Sequence, residues 1–412
     1  MHGKMKKVLI ALTTALVMAG PSMEVLAAPE RGKGFLVSAR DVQRIGEQAR
    51  RGQYPQKRNA DMLIRIANES WRYGSMASTF GTVRRGGSIY DKHCVKLSSP
   101  NTVRMLPIGG NLIFAKALAY NLTGNESYAR QVRGLLLELA RSSGYNKVSG
   151  RVNYSGENQC ALDLNLFLPI LIDSAIMLES WSGWSGADKY ALQKWLSDVP
   201  YKTAAAIARS RKNNWGTTAA FAGWAIGHYL IGTNLMLDET YPVSRRLTPA
   251  HARISHMWSQ MNMMGNDWRG DSRCSDHGIQ SDGGIPNELR RGSTGCDGSY
   301  LRTKDSSYNY QLMTISHMVY HAEAVRRHIN NELWNYKGSY SSPLIRKAIK
   351  FVISNPDVNH TWKLSELGVL RIASHSYPDW AICQELRRSN PYHVREGLYI
   401  PFTKLLRPED DC

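Results

Sequence analysis

The feature that most constrains the fold is a helical periodicity that recurs along the chain. In residues 127–140, Val132, Leu135, Leu136 and Leu139 stand three or four positions apart and form one apolar stripe. Similar stripes occupy residues 61–73, 164–178, 187–196, 217–230, 251–263, 310–328 and 342–353. Gly-, Ser- and Asn-rich turns separate these segments, and strand-like alternation is scarce. We therefore expect an all-α chain of successive antiparallel helices, and a helical toroid is one way to arrange such pairs around a groove.

The N-terminus has the pattern of a secretory signal. Lys4, Lys6 and Lys7 precede an apolar run over residues 8–19 that is too short to span a bilayer, and Ala27 and Ala28 suit a cleavage site. No later segment has the unbroken apolar length of a transmembrane helix. We expect residues 1–28 to be a signal peptide and residues 29–412 a single domain, exported to the periplasm or secreted, monomeric, and without stable membrane insertion.

The six cysteines lie far apart, and none has the CxxC or CxxH spacing of a zinc or redox site. We therefore expect neither a metal nor a cofactor. An even number of cysteines allows disulfides in an oxidising compartment, although the sequence does not select among the pairings. Cys274 with Cys296 is the pair that we favour.

The formal net charge is +18, so the surface should attract a polyanion. The basic residues are dispersed, and no nucleic-acid-binding motif accompanies them. Together with the export signal, this favours an acidic polysaccharide as the partner and argues against nucleic acid.

Three motifs occur in order along the chain: the helical segment at 119–140 that includes LTG, the segment KNNW at 212–215, and the segment DGGIPNELRRG at 282–292. The chain resembles the alginate lyase superfamily of polysaccharide lyases, which has a DGxxPxExxRG stretch and paired asparagines. The similarity covers about residues 100–330. It implies an (α/α) toroid, and β-elimination on a uronate polymer without a cofactor.

Elimination at O4 of a uronate requires removal of the C5 proton, which is acidic only when the adjacent carboxylate is neutralised. A base must reach C5, and an acid must reach O4. By resemblance, Asn214 and Arg291 face the carboxylate. Asn214 could instead start the helix over 217–230, and Arg291 could simply pair with Glu288.

The sequence departs from the family at two catalytic positions. Trp215 stands where many alginate lyases have a histidine base. An ungapped match places Ser307 at the position of the acid tyrosine, so we assign that role to Tyr308, one residue later. We expect Tyr310 to be a core aromatic residue and keep Tyr300 as a further candidate.

Without the histidine, one tyrosine could serve as base and acid, with its pKa lowered by basic surroundings. This arrangement favours syn elimination. In D-mannuronate and D-glucuronate the C5 hydrogen and O4 lie on the same face of the ring, whereas in L-guluronate they lie on opposite faces. The sequence therefore predicts a 4-linked D-mannuronate or D-glucuronate polymer as the substrate.

Other residues complete the predicted site. His256 is our first candidate for a histidine that helps to neutralise the carboxylate, ahead of His228, His317 and His321. The predicted substrate contacts are Trp215, Asn213, Gln159, Tyr90, Lys92 and Glu288. Glu288 could equally be a structural partner, and the polar residues of this set could be ordinary loop residues.

Two other classes of function remain open. A glycoside hydrolase would need two carboxylates about 5 to 9.5 Å apart across the scissile bond, and Asp282, Glu288 and Asp297 are the candidates. A noncatalytic polysaccharide-binding or export protein would also be consistent with the basic charge and the missing histidine.

Overall fold

The computed structural model describes residues 30–68, 82–85, 88–91, 109–141, 159–239, 244–265, 278–289, 305–355 and 368–388. Its helices are α1 (Ala39–Arg50), α2 (Gln56–Asn68), α3 (Gly109–Thr123), α4 (Glu126–Arg141), α5 (Gln159–Met177), α6 (Gly186–Asp198), α7 (Pro200–Ser210), α8 (Asn214–Tyr229), α9 (Pro249–Met264), α10 (Pro286–Leu289), α11 (Asp305–His328), α12 (Glu332–Asn335), α13 (Leu344–Ser354), α14 (Val369–Ser376) and α15 (Trp380–Arg388). Two antiparallel hairpins, β1 (Thr82–Arg85) with β2 (Ser88–Asp91) and β3 (Leu237–Glu239) with β4 (Arg245–Leu247), are the strands of these ranges.

Each of the eight segments with helical periodicity overlaps a helix, so the all-α prediction is confirmed; residues 69–73 of one segment lie outside the described residues. The helix ends follow from their capping residues. Ser38 forms a capping box with Asp41 at the start of α1, and Thr248 accepts a backbone hydrogen bond at the start of α9, which opens with Pro249.

Helices α8 and α9 form a close antiparallel pair. Along α8, Gly216 lies against Met263, Gly223 against His256, and Gly227 against Arg253, so the numbers on α9 fall as those on α8 rise. The approach requires a glycine, because a Cβ added at Gly223 would lie 2.3 Å from Cε1 and Nε2 of His256. The β3–β4 hairpin lies between the two helices in sequence.

Helices α8 and α11 run in the same direction. The Asn214 side chain contacts Met313 near the start of both helices, the Phe221 and His321 rings stack at 5.3 Å further along, and the rings of His228 and His328 meet at 4.2 Å. An antiparallel pair beside a parallel neighbour is the arrangement of helices in an (α/α) toroid. Helix α8 is buried against α5, α7, α9 and α11.

Among the described helices, none is both long and apolar enough to cross a membrane. Cys383 on α15 is disulfide-bonded. Cys274 and Cys296, and the predicted signal peptide, lie outside the described residues.

Candidate active site

The candidate active site begins at the N-terminus of α8. Asn213 is the capping residue: its backbone is extended, and its side chain accepts a 3.1 Å hydrogen bond from the backbone N–H of Trp215. Asn213 therefore supplies the helix-start signal that the paired asparagines carry. The side chain of Asn214 is not needed for capping and remains available for another role.

Asn214 has no exposed surface. Its side-chain Nδ2 contacts the sulfur of Met313 at 3.3 Å, and its Oδ1 has no hydrogen-bond partner within the described part of the chain. A thioether is a weak acceptor. A buried polar group that lacks a good partner costs about 1 to 3 kcal/mol, so such a group in a native fold requires an explanation, and a functional role is one.

Glu288 fixes the position of Asn214. It is fully buried on the short helix α10, and its Oε1 accepts a 2.5 Å hydrogen bond from the backbone N–H of Asn214. A carboxylate at a helix N-terminus also interacts favourably with the helix dipole. The structure therefore gives Glu288 a positioning role, which is the structural alternative that the sequence left open. Direct contact between Glu288 and the substrate stays a prediction.

The DGG turn at residues 282–284 precedes α10 and packs against α11 and α13. Gly283 has φ +96°, and a Cβ there would lie 2.2 Å from the carbonyl oxygen of Lys347, so only glycine fits. Asp282 accepts a 2.9 Å hydrogen bond from the N–H of Gly284, and Gln311 of α11 accepts one from the N–H of Ile285 at 3.2 Å. The carboxylate of Asp282 thus stabilises its own turn.

The first turns of α11 show which of its residues face the site. Ser307 donates a 2.7 Å hydrogen bond to the carbonyl of Leu289 at the end of α10, and Met313 contacts Asn214. Successive residues of an α-helix are rotated by about 100°. Tyr310 therefore lies in the arc between Met313 and Ser307, about 60° from each.

Tyr308 lies outside this arc, about 100° from Ser307 and about 140° from Met313. Its side chain is 4% exposed and packs in the hydrophobic core, whereas that of Tyr310 is half-buried. Among the described residues, Tyr310 is thus the tyrosine on the face of α11 that contacts Asn214 and α10. Tyr310 also packs against the core, as expected from the sequence, but it is only half-buried. A linear match does not show which helix face a residue occupies.

His256 lies apart from Asn214. It packs on Gly223, nine residues along α8, which corresponds to about 13.5 Å of helix. Burial, with a contribution from the charge of Arg209, lowers the pKa of His256 to about 3, so the imidazole is neutral at pH 7. The structure does not bring His256 and Asn214 to one carboxylate.

The other candidate histidines are also buried. His317 on α11 lies one turn beyond Met313, and its Nδ1 is 2.6 Å from the carbonyl oxygen of Met313. Burial lowers the pKa of His317 to about 4. His228 and His321 lie further along α8 and α11, and burial holds the pKa of each well below its ordinary value.

Trp215 is half-buried, and the guanidinium of Arg211 lies 5.4 Å from the centroid of its ring. The indole nitrogen is only a donor, so Trp215 cannot take up the proton that the family's histidine accepts. A cation beside an aromatic face is suited to an acidic sugar, and substrate contact by Trp215 stays a prediction.

The remaining predicted site residues are only partly placed. Gln159 begins α5, and Tyr90 lies in β2 opposite Val83. Arg291, Lys92 and Tyr300, as well as Asp297, lie outside the described residues. Within the described ranges, no group of three or more His, Cys, Asp or Glu residues could hold a metal ion.

Sequence reasoning missed Gln311 and Met313. Gln311 receives the DGG turn, and Met313 contacts the amide of Asn214. The sequence does not indicate a role in the site for either residue, because glutamine and methionine are common on amphipathic helices. Only the packing of α11 against α8 and α10 reveals their roles.

Comparison with known proteins decides the family. The family model described as alginate lyase matches residues 109–240 and 250–362, which is more than half of the chain. The chain belongs to the alginate lyase family. It is therefore a polysaccharide lyase, a carbon–oxygen lyase that acts on an acidic polysaccharide.

Solved structures of alginate lyases share the fold. An alginate lyase from Bacteroides ovatus superposes with a TM-score of 0.57 at 15% sequence identity, covering 91% of this chain and 98% of that chain. Alginate lyase A1-III from Sphingomonas species A1 superposes with a TM-score of 0.55 at 15% identity, covering 91% and 97%. These similarities confirm the (α/α) toroid. Among curated protein sequences, none matches the chain significantly.

Proposed function

We propose that this lyase cleaves a 4-linked D-mannuronate or D-glucuronate polymer by syn β-elimination, and that it acts as an exported, periplasmic monomer. The observation that carries the proposal is the pair Asn214 and Trp215 at the start of α8. Asn214 presents a buried amide whose oxygen has no hydrogen-bond partner among the described residues, and Trp215 stands where the family's histidine base would be. The basic charge and the signal-like N-terminus support an exported protein that binds a polyanion.

In this mechanism Asn214 and Arg291 neutralise the carboxylate of the uronate, so that the C5 proton becomes acidic. A deprotonated tyrosine takes the C5 proton, the C4=C5 double bond forms, and the C4–O4 bond breaks. The same tyrosine then returns the proton to O4. No external acid or base is consumed, and the tyrosine ends the cycle deprotonated as it began.

We propose Tyr310 as this tyrosine in preference to Tyr308. The support is its position on α11, between the residue that contacts Asn214 and the residue that contacts α10, together with its partial exposure. One tyrosine that acts as base and acid must reach C5–H and O4 from one side of the ring. This requirement restricts good substrates to sugars in which the two are on the same face.

The experiment is ultraviolet absorbance over time, with purified mature protein and polymannuronate, glucuronan, polyguluronate or polygalacturonate in separate reactions. The unsaturated uronate that elimination produces absorbs where the substrates do not. We expect absorbance to rise with polymannuronate or glucuronan, and Asn214→Ala to abolish the rise. Efficient cleavage of polyguluronate alone would contradict the syn mechanism.

A matched set of tyrosine variants on α11 tests the assignment. Tyr310→Phe should reduce kcat by at least about 100-fold, the typical contribution of one proton-transfer group. Tyr308→Phe and the control Tyr320→Phe, a fully buried tyrosine further along the same helix, should keep most of the activity. Loss of activity in Tyr308→Phe with an active Tyr310→Phe would return the role to Tyr308.

A further inference from the structure

A second candidate binding surface lies on α2, away from the elements of the active site. A surface concavity of about 780 Å³ is lined by Tyr54, Lys57, Arg58, Met62 and Arg65, and by Asp61. We refer to it as the α2 concavity. Helix α2 packs on α1 and α3, whereas α8 packs on α5, α7, α9 and α11. The α2 concavity is therefore built from a different part of the toroid than the Asn214 site.

The spacing of the lining residues places them on one helix face. Asp61 and Met62 lie three and four residues after Arg58, and Arg65 lies four and three residues after them, so the four side chains project from one face of the helix. Tyr54 precedes the helix and is 70% exposed. The Tyr54 hydroxyl accepts a 3.1 Å hydrogen bond from Nη1 of Arg58, which orients the ring beside the basic face.

The chemistry of the α2 concavity matches an acidic sugar chain. An exposed aromatic ring offers a face on which a sugar ring can stack, and Met62 adds a half-buried apolar surface. Three cations line the concavity against one carboxylate, that of Asp61. Lys57 pairs with Asp61 at 3.0 Å, and an exposed pair of this kind contributes little to stability.

We propose that the α2 concavity is a secondary binding site for a segment of the anionic polysaccharide. Its volume is in the range of small-molecule clefts, about 300 to 1,000 Å³, which gives room for a short oligosaccharide segment. Binding at a second point would retain a long polymer on the enzyme between cleavage events and would not affect a short substrate. The identity of the polymer rests on the proposed function, but binding at the α2 concavity does not require turnover.

The test combines binding and kinetics on the mature protein. Affinity for fluorescently labelled polymannuronate is measured for wild type, Tyr54→Ala and the double variant Arg58→Ser/Arg65→Ser, and kcat/KM is measured on polymer and on tetramannuronate. We expect the dissociation constant for the polymer to rise about tenfold in either variant. The value of kcat/KM on the tetrasaccharide should not change. The matched control is Tyr190→Ala/Lys194→Ser, which removes an exposed tyrosine and a lysine from α6 and should bind like wild type.

Asp61→Asn is a variant whose expected effect, tighter binding, cannot result from misfolding. Removing the one carboxylate of the lining should tighten binding to the polymer, and the gain should shrink at high salt. Unchanged or weaker polymer binding in Asp61→Asn would overturn the proposal that the α2 concavity binds the polymer. Unchanged binding in Tyr54→Ala and in the arginine double variant would overturn it as well. If the protein cleaves the polymer but polymer binding does not depend on these residues, only the proposed binding site at the α2 concavity is refuted. Binding that depends on them without cleavage of any uronate polymer refutes only the proposed function.

Discussion

The buried histidines make the stability of the folded protein sensitive to acid. Burial lowers the pKa of His256 to about 3, of His317 to about 4 and of His328 to about 3, from an ordinary value of 6.5. In the unfolded chain these side chains take up protons as the pH falls below 6.5, whereas in the folded protein they stay neutral. Stability is therefore lost as the pH falls from 6.5 towards the folded values.

At pH 5 the unfolded pKa lies 1.5 units above the pH, and each unit corresponds to about 1.4 kcal/mol, so each of the three histidines removes about 2 kcal/mol. The carboxyl of Asp173 acts in the opposite direction. Burial raises its pKa to about 7, so the folded protein gains stability as the pH falls from 7 towards the ordinary value of 3.8. Substituting one histidine therefore isolates its contribution to the pH dependence of stability from those of the other histidines and of Asp173.

The perturbation is His256→Gln, which replaces the titrating ring by a neutral polar side chain. The assay is urea unfolding, followed by tryptophan fluorescence at pH 7.5 and pH 5. The loss of unfolding free energy between the two values should be about 2 kcal/mol smaller in the variant than in wild type. His251→Gln, at an exposed position in the first turn of α9, is the control and should follow wild type.

An equal loss in wild type and His256→Gln would refute the reasoning, because it would mean that His256 is not held neutral by burial. The same variant also tests the catalytic role that the sequence assigned to His256. Since His256 packs on Gly223, far along α8 from Asn214, the folded variant should retain lyase activity at pH 7.5.

Substitutions at Gly223 and Glu288, with Gly134 on α4 as a control, test the contacts of α8. Gly223→Ala places a Cβ against the buried ring of His256 and should destabilise the protein by at least about 1 to 3 kcal/mol in thermal unfolding, whereas Gly134→Ala, with open space around it on α4, should stabilise it by up to about 1 kcal/mol. Equal effects of the two substitutions would contradict the close approach of α8 and α9. Glu288→Gln keeps an acceptor for the N–H of Asn214 but removes the charge, so it should cost about 1 to 2 kcal/mol and reduce kcat with little change in KM. Full activity in that variant would argue against a positioning role for Glu288.

Most helices could be predicted because their apolar stripes repeat at the helical period. Helix α3 could not, since its sequence GGNLIFAKALAYNLT is apolar on nearly all sides and gives no stripe. Helix α7 consists largely of small residues, and α14 and α15 are short. For α3, burial by neighbouring helices rather than an apolar stripe accounts for its position.

The candidate site was predictable where a residue has a role along the chain. The paired asparagines mark the start of α8, and Gly283 marks a turn that only glycine permits. The positions of Tyr308 and Tyr310 relative to Asn214 depend on the rotation of α11 between α8 and α10. A linear sequence does not contain that rotation, so the choice between Tyr308 and Tyr310 stays a prediction that the tyrosine variants test.

The most direct test of the central claim is the mass of the oligosaccharides released from polymannuronate or glucuronan by the purified mature protein. Elimination adds no water, so we predict that each new non-reducing end is an unsaturated uronate and that cleavage in ¹⁸O-labelled water introduces no label at the cleavage site. Products that have gained one water and its label would show a hydrolase. Tight binding of both polymers without any released product would identify a polysaccharide-binding protein and contradict the proposed lyase.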